Sequence, residues 1–396
     1  MEMFYPLATS SWDQLEVEAI HKVIKTGMYT MGAHVAQYEK EFAKFLGSKY
    51  CVMCSSGSTA NLLMVAALFY RKENPLKRGD EVIVPAVSWS TTYFPLAQYG
   101  LKLKFVDIDL ETLNFDLKAL ESAITDKTKA IMTVNLLGNP NDFSKIKKII
   151  SGKNIELIED NCESLGATFE GRQTGTFGVM GTYSSFFSHH ISTMEGGIVS
   201  TDDEELYHIL LCLRAHGWTR NLPKENKVTG IKSDNAFEES FKFVLPGYNV
   251  RPLEMSGAIG LEQIKKLQHF VDVRRENAAV FQELFGSHKD FYIQKEIGKS
   301  SWFGFSFVLK AESKVNRLKL IDHLTKSGVE CRPIVAGNFA KNEALKWFEH
   351  EIHAKLPNAE AIDQYGFFVG NHQVPMKSQI QRLRSEFDKG LAVAKT

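Results

Sequence analysis

The chain has 396 residues, which is long for one hydrophobic core and predicts two domains or one large α/β domain with an appendage. Lysine plus arginine and aspartate plus glutamate both number 47, so the net charge is zero and does not favour bulk attraction to nucleic acid or to an anionic membrane surface. No segment approaches the ~20 apolar residues that span a bilayer, and the N-terminus does not have the pattern of a signal peptide. We therefore expect a cytoplasmic protein that binds neither nucleic acid nor membranes.

The five cysteines are odd in number, which argues against a disulfide scaffold in a chain of this size. Cys51 and Cys54 form a C-x-x-C motif inside the apolar run YCVMC, without a second pair at the spacing of a zinc ribbon. Buried strand cysteines fit this run best, and a redox or metal role is the alternative.

The first predicted elements are two helices. Ser11 and Gln14 fit a capping box for a helix that Gly27 would end, and a second helix, residues 36–45, would end at Gly47. Short apolar runs then alternate with helical ones. The predicted strands are residues 50–54, 81–85, 102–108, 129–134, 155–160, 182–187 and 196–201.

This alternation predicts an α/β fold with a mostly parallel sheet, because parallel strands need crossover connections. The pattern is helical from residue 253 to residue 285, and a new α+β stretch follows. We predict a large domain, residues 1–275, and a smaller C-terminal α+β domain, residues 276–396. Ligands of open parallel sheets bind at the carboxyl ends of the strands, so residues just beyond strands are the first candidates for a site.

Three segments just beyond predicted strands carry such candidates. The turn SSGSTAN, residues 55–61, opens a helix, and its Gly57 and Ser58 would either hold a phosphate or belong to an ordinary capped turn. Asp160 ends an apolar strand, where its carboxylate would either pair with a protonated ring nitrogen or cap a helix. Trp89 would either stack on a flat ring or pack in the core.

Two longer segments join these motifs in a family resemblance. They are GAHVAQYEKEFAKFLG at residues 32–47 and PGYNVRPLEMSGAIGLEQ at residues 246–263. With them the sequence resembles the DegT/DnrJ/StrS sugar aminotransferases, which have the aspartate aminotransferase fold and depend on vitamin B6. The resemblance implies the type I α/β fold of the pyridoxal-phosphate-dependent transferases, with pyridoxal 5'-phosphate or pyridoxamine 5'-phosphate as cofactor.

The same resemblance implies contacts to the ring nitrogen, the phosphate and the ring face of that cofactor. Asp160 and Glu163 would contact the ring nitrogen, and Trp89 would stack on the ring face. The phosphate would be held by Gly57, Ser58 and Ser184. Asn249 would reach the phosphate from the neighbouring subunit, which implies a homodimer with shared active sites.

One position departs from the family pattern. Family members have S-F-x-x-x-K, five further residues and then E/D-G-G, whereas residues 184–197 here are SSFFSHHISTMEGG. The spacing to Glu195 puts His189 in the lysine position, and no lysine lies between residues 153 and 224 to replace it. His190 is the alternative, but adjacent side chains of an extended segment point to opposite sides, so only one of the two should face the cofactor.

A histidine cannot hold the cofactor covalently as lysine does, but it can accept and donate protons near neutral pH. One branch of the family removes the C3 hydroxyl of GDP-4-keto-6-deoxymannose in colitose synthesis, and this sequence resembles it in SHHISTMEGG, RAHGWTR and RPIVAGNF. The resemblance implies a 3-dehydratase that forms GDP-4-keto-3,6-dideoxymannose, with His189 as base and glutamate regenerating pyridoxamine phosphate. It also implies that His216, Arg220 and Arg332 hold the nucleotide-sugar substrate or the carboxylates of glutamate.

Three further interpretations of the sequence compete with this one. In the first, the chain resembles the CDP-linked 3-dehydrases, which also lack the lysine but carry an iron–sulfur cluster and use a reductase partner. The cysteines of this chain are not grouped for a cluster, so we expect no cluster, no reductase partner and no metal. The second interpretation is a nucleotide-sugar 4-aminotransferase that recruits a lysine from elsewhere, and the third is a cofactor-binding protein without catalysis.

Overall fold

The computed structural model describes residues 3–395. The α-helices of this part of the chain are α1 (Gln14–Thr26), α2 (Ala33–Leu46), α3 (Gly57–Tyr70), α4 (Ser90–Gln98), α5 (Leu117–Ala123), α6 (Phe143–Ile150), α7 (Glu204–Arg214), α8 (Ala236–Glu239), α9 (Glu254–Phe285), α10 (Arg317–Lys326), α11 (Pro357–Tyr365) and α12 (Lys377–Ala394). The strands are β1 (Tyr50–Cys54), β2 (Glu81–Pro85), β3 (Lys102–Val106), β4 (Thr128–Val134), β5 (Glu156–Asp160), β6 (Thr168–Phe169), β7 (Arg172–Gln173), β8 (Met180–Ser184), β9 (Gly197–Thr201), β10 (Glu225–Asn226), β11 (Gly230–Ile231), β12 (Phe291–Ile293), β13 (Gly304–Leu309), β14 (Cys331–Arg332), β15 (His350–Ile352) and β16 (Gly366–Gly370).

The first helix begins with a different capping box from the predicted one. Asp13 is the N-cap of α1, its side chain accepts from the Leu15 N–H, and the Glu16 carboxylate accepts from the Asp13 N–H. The predicted box of Ser11 and Gln14 is wrong, because the cap lies two residues later and Ser11 donates instead to the buried Gln263 side chain at 2.6 Å. The predicted helix end is confirmed, since Gly27 closes α1 in the left-handed region with φ 69°.

An eight-stranded sheet forms the centre of the large part of the molecule. Its strand order is β1-β9-β8-β5-β4-β2-β3-β15, and β9 runs antiparallel to both of its neighbours, β1 and β8. The remaining neighbouring pairs are parallel. The predicted mixed, mostly parallel sheet is therefore confirmed, and the carboxyl ends of β1, β2, β4, β5 and β8 meet along one edge.

Helices cover both faces of this sheet, which explains why its strands are continuous apolar runs. Strand β2, EVIVP, is buried at every position, and so are β8 and β9. Helix α3 packs in one core cluster with α4 and α7, while α2 and part of α9 contribute to a second cluster on the sheet. Because α3 is enclosed by other elements, its residues are apolar nearly all round.

A second, antiparallel sheet follows α9 in the chain, with the order β12-β13-β16-β14. It packs with α9, α10 and α12 around a cluster rich in phenylalanine. The predicted boundary between residues 275 and 276 falls inside α9, and β15 joins the edge of the large sheet beside β3. The two-domain division itself stays a prediction.

The C-x-x-C cysteines, Cys51 and Cys54, are free thiols buried in β1. Burial raises the pKa of the Cys54 thiol to about 11, so this thiol is protonated and unreactive at neutral pH. Among the helices of residues 3–395, none has the length and apolar character that crossing a membrane requires.

Candidate active site

A cleft of about 490 Å³ opens at the carboxyl edge of the large sheet, where the second sheet faces it. Segments following β1, β2, β4, β5 and β8 line one side, and residues near β13, β14 and β16 line the other. The cleft brings together most of the predicted site residues, namely Gly57, Ser58, Trp89, Asp160, Glu163, Ser184, His189 and Arg332. These side chains are up to 275 positions apart in sequence (57 to 332), and the sheet edge collects them.

The N-terminus of α3 forms one end of the cleft. Ser56 is its N-cap and accepts from the Thr59 N–H at 3.2 Å, in a capping box with Thr59. Gly57 and Ser58 are the first two helical residues, whose N–H groups have no acceptor within a helix. The capped-turn and phosphate-site interpretations are therefore compatible, since the cap uses Ser56 and Thr59 and leaves the first-turn amides and the helix dipole available to an anion.

Ser184, at the end of β8, explains why position 57 is glycine. A Cβ added at Gly57 would lie 2.7 Å from the Cβ of Ser184, 3.1 Å from its Oγ and 3.1 Å from the sulfur of Cys162. Such distances are shorter than ordinary van der Waals contact, so only glycine lets the helix start approach the strand end here. The backbone and the Ser184 hydroxyl together form a narrow cradle at the cleft.

The cradle leads to a prediction for Gly57→Ala. We expect the affinity for the phosphorylated cofactor to fall at least about tenfold, because the new methyl group must push Ser184 or the helix start away from the anion. Equilibrium titration of the cofactor-free protein, followed by absorbance, measures the affinity. Gly79→Ala is the control: its φ of 88° strains the backbone while its Cβ has open space, so stability falls but affinity does not. Equal losses of affinity in both variants would contradict the cradle.

The carboxylate of Asp160 lies at the floor of the cleft and is 6% exposed. Its Oδ2 accepts from the Asn61 side-chain amide at 2.9 Å and from the Thr92 hydroxyl at 2.7 Å. Its Oδ1 accepts from the Cys162 N–H at 3.2 Å, and no helix begins after it, which excludes the helix-capping interpretation. All these donors are neutral, and within residues 3–395 Asp160 forms no ion pair, so a buried negative charge faces the cleft without a cation.

Glu163 stands near Asp160 in the same cleft, and its carboxyl group titrates close to neutral pH. Burial, followed by the charge of Asp160, raises the pKa of Glu163 to about 7, although the Leu137 N–H donates to its carboxylate at 3.0 Å. Leu137 holds this N–H in place from the left-handed region, with φ 48°. The floor of the cleft therefore holds, beside Asp160, a carboxyl group that can gain or lose a proton near neutral pH.

His189 lies on the loop between β8 and β9 and lines the cleft, whereas His190 does not. The Nδ1 of His189 is buried and has no hydrogen-bond partner within the described chain, and the ring packs edge-on against Phe303 with centroids 5.2 Å apart. Burial, and secondarily the charge of Arg274, lowers the pKa of His189 to about 4. His190 is fully buried and pairs through Nε2 with the Ser301 carbonyl at 3.1 Å. The neutral imidazole of His189 is thus the one that the cleft can use as a base.

Trp89 is 58% exposed and lines the cleft, which excludes the interpretation as a core tryptophan. Arg332 is also exposed there and pairs with Glu330. Asn249, His216 and Arg220 lie outside the cleft of their own chain, on the segment after α7. Their contacts to cofactor or substrate stay predictions, and a contact of Asn249 would need a second subunit.

Several residues that support the site were not predicted. Asn61 and Thr92 hold the Asp160 carboxylate, and Phe303 packs on His189. Asn61 had a signal in the sequence, because it is the polar residue in the otherwise apolar run ANLLMVAALF. Phe303 had none, since it directly precedes β13 of the second sheet and only the tertiary fold brings it near.

Known proteins resemble this chain over nearly its whole length. Residues 11–383 match the DegT/DnrJ/EryC1/StrS aminotransferase family. The chain belongs to this family. GDP-4-keto-6-deoxy-D-mannose 3-dehydratase of Escherichia coli O55:H7 is 64% identical over 381 residues, which are 96% of this chain and 98% of that protein.

Two solved structures superpose closely on this member of the DegT/DnrJ/EryC1/StrS family. One is GDP-4-keto-6-deoxymannose-3-dehydratase with a trapped PLP-glutamate geminal diamine, with a TM-score of 0.96 and 64% identity over 97% of this chain and 100% of that chain. The other is a histidine-to-asparagine mutant of that dehydratase with bound GDP-perosamine, with a TM-score of 0.96 and 63% identity over the same shares of the two chains. The predicted α/β fold of the pyridoxal-phosphate-dependent aminotransferases is therefore confirmed.

The cleft of this DegT/DnrJ/EryC1/StrS chain fits pyridoxal phosphate. The cradle at Gly57 and Ser184 suits the phosphate, and the unpaired carboxylate of Asp160 suits a protonated ring nitrogen. Trp89 offers an exposed aromatic face at the cleft. No lysine lines the cleft within residues 3–395, so no side chain there can bond covalently to an aldehyde as the family's lysine does. The same part of the chain holds no group of three or more histidine, cysteine or acidic side chains placed to bind a metal ion.

Proposed function

We propose that this protein is a pyridoxal/pyridoxamine-phosphate-dependent nucleotide-sugar 3-dehydratase. It acts on GDP-4-keto-6-deoxymannose and forms GDP-4-keto-3,6-dideoxymannose, with glutamate as the amino donor. The observation that carries the proposal is His189, which lines the cofactor cleft at the lysine position while no lysine does so in the described chain. Support comes from the E. coli relative, which is named for this reaction and shares 64% of its residues over 96% of this chain.

The cofactor, when bound in its amine form, supplies an amino group that condenses with the C4 ketone of the sugar and an electron sink that labilises the C3 hydroxyl. Gly57, Ser58 and Ser184 hold its phosphate, and Asp160 keeps its ring nitrogen protonated. An imidazole nitrogen of His189 takes up the proton that a carbon of the cofactor loses, and returns it to the departing hydroxyl oxygen. Overall, substrate and glutamate give the deoxygenated sugar, 2-oxoglutarate and ammonia, so atoms and electrons balance without another reductant.

Histidine in place of lysine also explains why dehydration is favoured over transamination. A lysine amine releases an aminated sugar by taking back the cofactor covalently, whereas imidazole cannot form that bond. The nucleotide-sugar 4-aminotransferase alternative needs a lysine at the cleft, and the cleft has none within the described chain. A cofactor-binding protein without catalysis would not need a neutral, unpartnered imidazole beside the cofactor site.

A product assay tests the proposed reaction. The purified protein is incubated with pyridoxal phosphate, glutamate and GDP-4-keto-6-deoxymannose, and the sugar is followed by mass spectrometry. We expect a product that has lost the C3 oxygen and carries no new nitrogen. An amino sugar would support the aminotransferase alternative, and an unchanged sugar in this and in a panel of other nucleotide sugars would leave only cofactor binding.

We also propose a homodimer in which each site takes Asn249 from the partner. The support is that Asn249 is exposed outside its own cleft, on the segment of residues 214–250 that also carries the exposed Phe241 and Phe243. This proposal extends to the predicted substrate contacts of His216 and Arg220, which lie on the same segment.

Mixing two inactive variants tests the shared site. His189→Asn and Asn249→Ala subunits, unfolded together and refolded at equal amounts, should regain about a quarter of wild-type activity, because half of the dimers are mixed and each mixed dimer has one intact site. A co-refolded equal mixture of His189→Asn with wild type should keep half of wild-type activity whether or not the subunits exchange, so it controls for the recovery of active protein after refolding. Activity no higher than that of the Asn249→Ala protein alone would mean that Asn249 serves its own subunit or none.

We place the reaction in colitose synthesis for lipopolysaccharide O-antigen, and the protein in the cytoplasm. Support for the pathway is the resemblance to the 3-dehydratase branch, and support for the compartment is the five free cysteines, which suit a reducing environment.

A further inference from the structure

Arg274, on α9, is a buried cation without an anion. It is 3% exposed, and no carboxylate lies within ion-pair distance of it in the described chain. Its Nη1 donates to the carbonyls of Phe303, at 3.2 Å, and Asn371, while its Nε has no partner. A buried guanidinium without an anion carries a large desolvation penalty, and here only hydrogen bonds to carbonyl groups offset it.

The bonds of Arg274 reach the histidine loop through Phe303. The Phe303 ring lies 5.2 Å from the His189 ring and 5.8 Å from the His190 ring, measured between centroids. His190 bonds to the carbonyl of Ser301, two residues before Phe303. Segment 301–303 is therefore the surface on which both histidines rest, and Arg274 ties that segment to helix α9.

The charge of Arg274 acts on the same group of rings. After burial itself, it is the next cause that lowers the pKa of His189 to about 4, that of His372 to about 4 and that of His190 well below the usual value. Arg275 adds to the effect on His190 alone. The other acidic and basic side chains that line the cleft together with His189 are Asp160, Glu163, Glu195 and Arg332.

We propose that Arg274 is a positioning residue for His189: it fixes Phe303 against the imidazole, and its unpaired charge disfavours a second positive charge there. His189 thereby stays a free base throughout the neutral pH range, ready to take the proton at the cofactor. This inference rests on the proposed function, because His189 needs to be a base only if the protein catalyses the reaction. The titration of His189 itself can be measured without cofactor or substrate.

Histidine titration by NMR in the cofactor-free protein tests it. The protein is labelled with ¹⁵N-histidine, and the His189 signal is assigned from its loss in His189→Asn. In Arg274→Met we expect the pKa of His189 to rise by about one unit, and in Arg274→Lys, which keeps the charge, to stay near the wild-type value. Arg275→Met is the matched control, because it removes a neighbouring arginine of the same helix and should leave the His189 titration unchanged.

Three outcomes would overturn the proposal. One is a His189 in the wild type that titrates at the ordinary pKa of histidine, and another is an unchanged titration in folded Arg274→Met. The third is an equal shift in Arg275→Met. If Arg274→Met does not fold, Arg274→Gln keeps hydrogen-bond donors without charge and must show the same rise. Absence of dehydratase activity in the wild type would refute the proposed function but would not change the titration of His189. The two failures are therefore distinguishable.

Discussion

Replacing His189 with asparagine is expected to lower kcat for dehydration of the sugar by about 10²- to 10⁴-fold. Asparagine keeps a polar side chain of similar size but cannot accept or donate a proton near neutral pH. No group at this position would then transfer the proton at the cofactor. Cofactor affinity should change little, because the phosphate cradle and Asp160 are untouched. Initial rates measured with saturating cofactor and glutamate, together with a cofactor titration, separate the two effects.

The control for this variant is His269→Asn, which changes an exposed histidine of α9 outside the cleft. Its rate and cofactor affinity should equal those of the wild type. A His189→Asn protein with near wild-type kcat would mean that another group, with His190 the first candidate, moves the proton. Formation of an amino sugar by His189→Lys would support the view that this one position decides whether the sugar oxygen is removed or replaced by an amine.

Asp160→Asn is expected to weaken cofactor binding and turnover together. Removing one partner of a buried charge pair costs about 3–5 kcal/mol, which corresponds to roughly 10²- to 10⁴-fold. The neutral amide cannot stabilise a protonated ring nitrogen, and in either orientation its NH₂ group would face a donor, the Asn61 amide or the Cys162 N–H. Absorbance titration of the cofactor and kcat at saturation measure the two losses.

Asp107→Asn provides a matched buried carboxylate that the cleft does not use. Asp107 follows β3 and accepts from the N–H groups of Asn358 and Ala359 at the start of α11. We expect this variant to lose about 1 kcal/mol of stability through the weakened helix cap, with cofactor affinity unchanged. If Asp160→Asn bound the cofactor as tightly as Asp107→Asn, the assignment of Asp160 to the ring nitrogen would be wrong.

The strands of the large sheet could be predicted well because their burial on both faces makes them continuous apolar runs. YCVMC and EVIVP have the predicted limits, and Asp160 ends its strand as predicted, whereas the strand predicted at residues 182–187 is Met180–Ser184. The capping box of the first helix was misplaced by two residues, since Ser11, Asp13, Gln14 and Glu16 offer overlapping cap patterns and only packing against α9 decides between them. The strand β15 was missed because it is three residues long and joins the sheet from far along the chain.

Site residues that stand next to strand ends could be predicted from their position, and others could not. Gly57, Asp160 and His189 carry local signals: a glycine at a helix start, a charge after an apolar strand, and an altered motif. Arg274 looks like an ordinary surface arginine in a helical pattern, since the lack of a carboxylate partner is visible only in the folded protein. The cleft shows which predicted residues lie together, while the predicted role of Asn249 stays a proposal because Asn249 lies outside the cleft of its own chain.

Above all, we propose that this cleft removes an oxygen from the sugar where family members with lysine add an amine. The most direct measurement counts products in one reaction: deoxygenated sugar, 2-oxoglutarate and free ammonia, each quantified over a time course with glutamate in excess. We predict that the three accumulate in equal amounts and that none forms without glutamate. Formation of 2-oxoglutarate matched by an amino sugar, with no free ammonia, would contradict the proposed dehydration.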